Sequence, residues 1–282
     1  NVGHGRPEIR DALRRVVDQN LLASYVFVHQ GRADLTKRLQ ALSPDPKRYH
    51  VFLLSTGSEA TENCIKLAKT YALEKHGSGK RIIVTFQNAF HGRTMGAQLA
   101  GGMPHLKKWL GEGHPHFVQV PFPDGYKNPD TSFDLFLRTL RKLGIAGKEI
   151  AGVMSESYQG VGPDFFPVEY AKKLAAFCRE HDIVLIMDEV QSGFGRTGKM
   201  FCYEHYGIKP DLVACGKGIT SSLPLSAVIG REDIMGLYPP GSMTSTHSAS
   251  PLAVAAAIAN LDVLVREKLV DRAAKMGRIL LP

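Results

Sequence analysis

A chain of 282 residues, 44% hydrophobic and 22% charged, can bury a sizeable core and exceeds the usual single-domain length. One large α/β domain with pieces of a second is the expectation. The formal charge of +8 and pI near 9.3 would suit nucleic acid, but Lys and Arg lie scattered, without a dense run or interleaved aromatics, so attraction for anionic small molecules is the better fit. Cys64, Cys178, Cys202 and Cys215 form no C-x-x-C pair, which argues against a zinc site or a disulfide framework and suits a reducing, cytoplasmic compartment. No run approaches the roughly 18 apolar residues of a membrane span. The start, NVGHGRPEIRDALRRV, reads as a loop and an amphipathic helix, not a signal peptide.

Hydrophobic periodicity predicts helices near 7–19 and 32–41, a strand at 51–55 (VFLLS), and a helix over 58–76 with Ala60, Cys64, Leu67, Ala68 and Tyr71 on one face. Strands follow at 81–86 (RIIVTF) and 116–120 (HFVQV), a helix at 132–143, a strand at 150–155 (IAGVMS), and a helix at 167–181. IVLIMD (183–188), DLVAC (211–215) and LSAVIG (225–230) complete the strands. An Ala-rich helix occupies 251–265, and REKLVDRAAKMGRIL begins another unit. This βαβ rhythm predicts a mostly parallel sheet flanked by helices, with ligands beyond the carboxyl ends of the strands.

IVLIMDEVQSGFGRTGK (183–199) places Gly193, Gly195 and Gly198 at the spacing of a dinucleotide fingerprint and nearly spells a phosphate loop. The fingerprint needs its first glycine directly after the strand, whereas five residues, Asp188 to Ser192, intervene here. The phosphate loop needs Ser or Thr after its lysine, and position 200 is Met. The glycines are better read as a turn that lets backbone pass closely. Asp188 then stands out as a carboxylate ending an apolar strand. Such a group needs a cation, which can be a structural salt-bridge partner or a ligand carrying a positive nitrogen.

Three further segments bear on that choice. STGSEATEN (55–63) joins a strand to a helix, with Gly57 and Ser58 at the turn, which suits either an ordinary capped helix or an anion site. AFHGRT (89–94) combines Phe90, His91 and Arg93, able to stack on a flat ring and grip a carboxylate. In DLVACGKGI (211–219), Lys217 lies between two glycines just past a strand, as a surface lysine or as a Schiff-base nucleophile. One molecule satisfies all four segments: pyridoxal 5′-phosphate, with its phosphate at 57–58, its ring over Phe90, its pyridinium on Asp188 and its aldehyde on Lys217.

With TGSEATEN, FHGRT, LIMDEVQSGFGRTGK, PDLVACGKGI and THSASPLAVAAA in this order, the chain resembles the class III, ω-amino aminotransferases of fold type I, the 4-aminobutyrate and acetylornithine aminotransferase group. The resemblance implies a pyridoxal-phosphate enzyme transferring an amino group from an ω-amino acid or amine to a 2-oxo acid. Lys217 would carry the internal aldimine and shuttle the proton, and Asp188 would pair with the pyridine nitrogen. Val190 would pack behind the ring, Gln191 would hydrogen-bond its hydroxyl, Phe90 and His91 would lie on its face, and Gly57 and Ser58 would hold the phosphate. Glu156 is a matching cofactor-site position, and Arg93 would grip the substrate carboxylate. Thr246 would reach the phosphate of the neighbouring subunit, so a homodimer would share its active sites. No metal is implied. The same fold also hosts amino-acid racemases and decarboxylases, and an inactive cofactor-binding dimer is a further alternative.

Residues 1–30 correspond to an incomplete N-terminal segment, 31–265 to the large cofactor-binding domain, and 266–282 to the start of an incomplete small domain. Many relatives read E-P-V-Q-G-E where this chain has ESYQGV (156–161), so Val161 replaces a gating glutamate and leans the resemblance toward enzymes using pyruvate or other acceptors rather than the gated type. Ser250 replaces a usual asparagine at a helix cap, a mild change because both types cap well.

Overall fold

The computed structural model describes residues 1–25, 27–111, 113–162 and 164–280. In chain order the elements are α1 (Pro7–Asp18), α2 (Gln30–Ala41), β1 (Tyr49–Leu54), α3 (Gly57–His76), β2 (Ile82–Phe86), α4 (Met95–Ala100), β3 (Phe117–Val120) and α5 (Phe133–Lys142). They continue with β4 (Ile150–Glu156), β5 (Tyr158–Gln159), β6 (Asp164–Phe165), α6 (Val168–Glu180), β7 (Val184–Asp188), β8 (Leu212–Cys215), β9 (Ser226–Arg231), α7 (Glu232–Met235), α8 (Pro251–Arg266) and α9 (Leu269–Leu280). The strand order is β1-β9-β8-β7-β4-β2-β3, with β5 and β6 forming a separate small hairpin. The backbone divides into two compact units: Asn1–Ala60, Glu189–Cys202 and the chain from Ala214 on, and Thr61–Asp188 with Tyr203–Val213.

The second unit carries the parallel part of the sheet. β2 pairs in parallel with β3 and β4, and β4 with β7, in a register that sets Glu156 opposite Asp188. β4 (IAGVMSE) and β7 (VLIMD) are buried along their whole length, as expected of strands covered on both faces. Aromatic rings fill the space under α5 and α6. Phe166 lies 4.5 Å from Phe122 and 5.3 Å, edge-on, from Phe86, and Phe136 meets Phe177 at 5.6 Å. Such tilted and edge contacts add to simple area burial.

In the first unit, β1 and β9 pair antiparallel from Tyr49↔Arg231 to Leu54↔Ser226. α1 starts with Pro7 at its first turn, where the missing N–H costs nothing, and buries Ile9 and Ala12. These join Ala256, Ala259, Val263 and Leu264 of α8 in one apolar cluster. The α1 end is also tied by Arg6, whose guanidinium makes a forked pair with Glu267 at 3.0 and 2.7 Å.

The predicted helices and strands all form, with ends shifted by one or two residues. Among the helices and strands, α4, α7 and the two short strands β5 and β6 were not anticipated. The glycine-rich stretch after β7 is a tight turn, with Gly195 and Gly198 at φ +83° and +85° and Gly198 N–H donating to Gly195 O at 3.2 Å. Gly198 also runs against α9: a Cβ there would come 2.7 Å from Cα of Ala274.

Gly198→Ala therefore meets both a left-handed backbone and main-chain atoms that cannot swing away. It is expected to destabilise by about 1–3 kcal/mol in thermal or denaturant unfolding. Gly277→Ala, within α9 and with nothing within 4 Å of the added carbon, is expected to be neutral or to stabilise by up to about 1 kcal/mol. Equal effects at the two positions would contradict this account.

Candidate active site

In the second unit the carboxyl ends of the parallel strands gather Phe90, His91, Glu156 and Asp188. Asp188 ends β7 and is 4% exposed. Its Oδ2 lies 2.8 Å from Nδ1 of His91, itself 3% exposed. With an ionised carboxylate as partner, Nδ1 is the protonated nitrogen and donates. Nε2 of His91 is buried and has no hydrogen-bond partner among the described residues.

The loop after β2 that carries His91 is held from several sides. Thr61 Oγ1 donates to His91 O at 2.7 Å, and Phe90 N–H donates to Glu156 Oε2 at 2.8 Å. Gly160 N–H reaches the other oxygen of Glu156 at 3.1 Å. Glu62 Oε1 accepts from Thr94 Oγ1 (2.6 Å), Gly96 N–H (2.8 Å) and Ala97 N–H (3.1 Å), closing the start of α4. A Cβ at Gly96 would lie 3.0 Å from Cδ of that same carboxylate, so glycine keeps the approach open. Arg93 is exposed, with its guanidinium 5.7 Å from the centre of the Phe90 ring, within cation–π range.

Burial pushes the Glu156 carboxyl up to about 7; the charge on Asp188 adds to this, while His91 and the two backbone N–H bonds oppose it. Burial and Asp188 likewise push the neighbouring Cys64 thiol well up.

The first unit holds the other set. Thr56 and Glu59 form a capping box at the start of α3: Glu59 N–H donates to Thr56 Oγ1 (3.2 Å), and Glu59 Oε2 accepts from Thr56 N–H and Ser55 N–H (2.8 Å each). Gly57 and Ser58 are then the first two residues of a 20-residue helix, at the positive end of its dipole. Lys217 follows β8 at φ +35°, exposed between the buried Gly216 and Gly218. Positive φ in a non-glycine residue is uncommon and is kept only where the surroundings impose it. Part of that imposition comes from Asn260 of α8, fully buried, whose Nδ2 donates to Gly218 O (2.9 Å) and Ile219 O (3.1 Å).

Lys217 and Gly57 line one cleft of about 510 Å³, together with Ser55, Thr56, Thr220 and Ser221. Val190 packs against both glycines of this region: a Cβ on Gly57 would come 2.8 Å, and one on Gly216 3.1 Å, from Cγ1 of Val190. Gln191 is exposed. Glu189, completely buried, accepts from Ser192 Oγ (2.7 Å) and Cys202 N–H (2.9 Å). Thr246 is exposed on a separate turn and does not line the cleft. Ser250 Oγ accepts from Ala253 N–H at 3.5 Å at the start of α8.

Thr61, Glu62, Glu189 and Asn260 were not singled out from sequence. The first two belong to TGSEATEN and the third to DEVQ, so their motifs were in view, although their partners lie far along the chain. Asn260 carries a signal only as a polar residue within an apolar helix.

Because the folded Glu156 carboxyl holds its proton more tightly than the unfolded chain does, its contribution is fully present below about pH 4.5 and is lost as pH rises through about 7. The difference corresponds to roughly 3 kcal/mol. Glu156→Gln is expected to flatten the fall in stability between pH 5 and 8 in urea titrations. An unchanged slope would contradict the assignment.

The family description "Aminotransferase class-III" matches residues 1–282. A probable 4-aminobutyrate aminotransferase of Bacillus subtilis is 33% identical over 291 residues, covering 99% of this chain and 65% of the relative. An acetylornithine aminotransferase of Methanothermobacter thermautotrophicus is 34% identical over 278 residues, covering 98% of this chain and 65% of that protein. Among solved structures, an amine transaminase from an uncultivated Pseudomonas species, in the PLP-bound internal aldimine form, superposes with a TM-score of 0.90 at 30% identity, over 100% of this chain and 68% of that one. The chain thus spans about 65% of the length of the curated relatives it matches. With the match running from its first residue to its last, the chain belongs to the class III aminotransferase family.

Proposed function

We propose that this chain forms the core of an aminotransferase that uses pyridoxal 5′-phosphate to move an amino group from an ω-amino acid or amine to a 2-oxo acid. The observation that carries this is in the first unit: Lys217, exposed between two buried glycines, shares a cleft with the N-terminus of α3. An amine and a phosphate-binding helix start on one cleft suit a ligand that is both an aldehyde and a phosphate ester. The PLP-bound relative and the aminotransferase names of the others support the same cofactor and reaction.

The residues fit the cofactor on two counts. His91 keeps one buried ring nitrogen without a partner among the described residues, beside a carboxylate suited to a cationic ring nitrogen. Gly57 and Gly216 leave room for Val190 where any Cβ would collide or crowd, so the branched side chain forms an apolar backing. In this account Gly57 and Ser58 hold the phosphate, Phe90 and His91 lie against the ring, Val190 backs it, and Gln191 binds its hydroxyl. Glu156 sets the place of Phe90 through its N–H. Lys217 takes the aldehyde and Asp188 the ring nitrogen, although 29 positions of chain separate them.

When bound, the cofactor supplies an electron sink for the pair released as the substrate Cα proton departs. Asp188 keeps a proton on the ring nitrogen, and His91, donating from Nδ1, keeps that carboxylate oriented. Lys217 Nζ would take the substrate Cα proton and return it. Arg93 receives the substrate carboxylate in a fork. Val161, 62% exposed, offers no charge to neutralise an arginine, which favours pyruvate-type acceptors over a gated exchange of dicarboxylates. Thr246 serves the phosphate of a second subunit in a homodimer. The four cysteines, all buried and none in a disulfide, suit the cytoplasm.

Purified protein given an amino donor without acceptor is expected to convert to the amino form of the cofactor and to return to the aldehyde form when a 2-oxo acid is added. Lys217→Ala is expected to abolish the visible absorption of the bound aldehyde and to lower turnover by at least about 10²–10⁴-fold. Retention of both the absorption and the rate in that variant would remove the basis of the assignment.

A further inference from the structure

Thr246 is the second residue of a four-residue turn, Ser245 to Ser248. Ser248 N–H (3.1 Å) and Ser248 Oγ (2.9 Å) both donate to Ser245 O and close it. Thr246 and His247 of this turn are exposed while Ser248 is buried, so the place of the exposed pair depends on what holds the buried end. The hold comes from Arg32, in the first turn of α2. Its Nη2 lies 2.9 Å from Ser248 O and from Tyr25 O, and 3.5 Å from Ala249 O and Ser24 Oγ. His29, the N-cap of α2, accepts Arg32 N–H on Nδ1 at 3.4 Å. From the same side the Tyr25 ring meets His247 at 5.6 Å.

Two features separate this from an ordinary surface arginine. Three of the four acceptors are main-chain carbonyls, so the guanidinium fixes the path of the backbone on either side of the contact. Ala249, next to the gripped Ser248, sits at φ +54°, a left-handed conformation that is unfavourable for alanine and needs imposed contacts to persist.

We propose that Arg32 is a positioning residue for the phosphate site: by pinning the exit of the Ser245–Ser248 turn to the start of α2, it sets where the Thr246 hydroxyl stands. The proposal rests on Thr246 as a phosphate ligand and goes further in naming what places it. Arg32 touches neither cofactor nor substrate in this account. Its loss acts through Thr246, and therefore only on ligands that carry the phosphate.

The test is equilibrium binding of pyridoxal 5′-phosphate, and of pyridoxal, which lacks the phosphate, to wild-type protein, Arg32→Met, Thr246→Ala and the double variant. Hydrogen exchange at the amides of 245–249 is followed in parallel. Arg32→Met keeps the apolar stem and removes every donor. It is expected to weaken the phosphate ester by about tenfold, the scale of one positioned hydrogen bond, and to leave pyridoxal within about twofold. It should also speed exchange in the turn and add little to the loss already caused by Thr246→Ala. Arg32→Lys should recover part of the loss, and if Arg32→Met does not fold, Arg32→Lys and Arg32→Gln measured the same way decide. If Thr246→Ala leaves the affinity for the phosphate ester unchanged, the role of Thr246 falls and this proposal with it. If Thr246→Ala weakens binding while Arg32→Met does not, or the two losses add in full, or pyridoxal suffers equally, Thr246 keeps its role and Arg32 loses its own.

Discussion

A negative charge buried at the end of an apolar strand sets the terms for the second unit. Val184 to Met187 are buried on both sides of the sheet, and the run ends on Asp188 with almost no water to solvate it. A carboxylate in that position is tolerated only with hydrogen-bonding partners, and His91 Nδ1 at 2.8 Å supplies one. The imidazole comes from the loop after β2, so that loop has to return to the end of β7. Thr61 holds it at His91, Glu156 at Phe90, and Glu62 at the start of α4. Each of these bonds helps to keep one ring nitrogen in place, while the other, Nε2, is buried without a hydrogen-bond partner among the described residues.

The first unit solves a different problem: keeping a cation exposed and in one place. Lysine carries a long, mobile side chain, so its position depends on the backbone beneath it. That backbone is fixed by a left-handed residue between two glycines and by the Asn260 amide, which donates to two successive carbonyls just beyond. The capping box at Thr56 and Glu59 fixes the nearby helix start with equal economy, since each residue satisfies a donor of the other.

Much of this could be read from the chain. The unbroken apolar run of β7, the Ala-rich periodicity of α8 and the strand-to-helix junction in STGSEATEN are local signals, and each became the element it suggested. The residue types of the proposed site were visible because acid, lysine, histidine and glycine each occurred at or just past the end of a strand. What was not legible is set by long-range partners. The His91–Asp188 bond joins residues 97 positions apart, and α4, only six residues long, takes its start from Glu62 more than 30 positions earlier. β5 and β6 have two residues each, too few to show a period, and form only as a pair, with Tyr158 stacked on Phe165 at 5.3 Å. Nothing in β1 announces that it will run antiparallel to β9, since strand direction follows from the connections rather than from residue type.

Helix α8 has a geometric consequence beyond its part in the core. Its cap, Ser250, lies four residues past Thr246, and its buried Asn260 suspends the loop of Lys217 ten residues further along. At 1.5 Å per residue these two attachment points are about 15 Å apart, joined by a rod that cannot stretch. α8 acts as a ruler: a movement of the whole helix that carries the lysine loop also carries the point at which the threonine turn enters it.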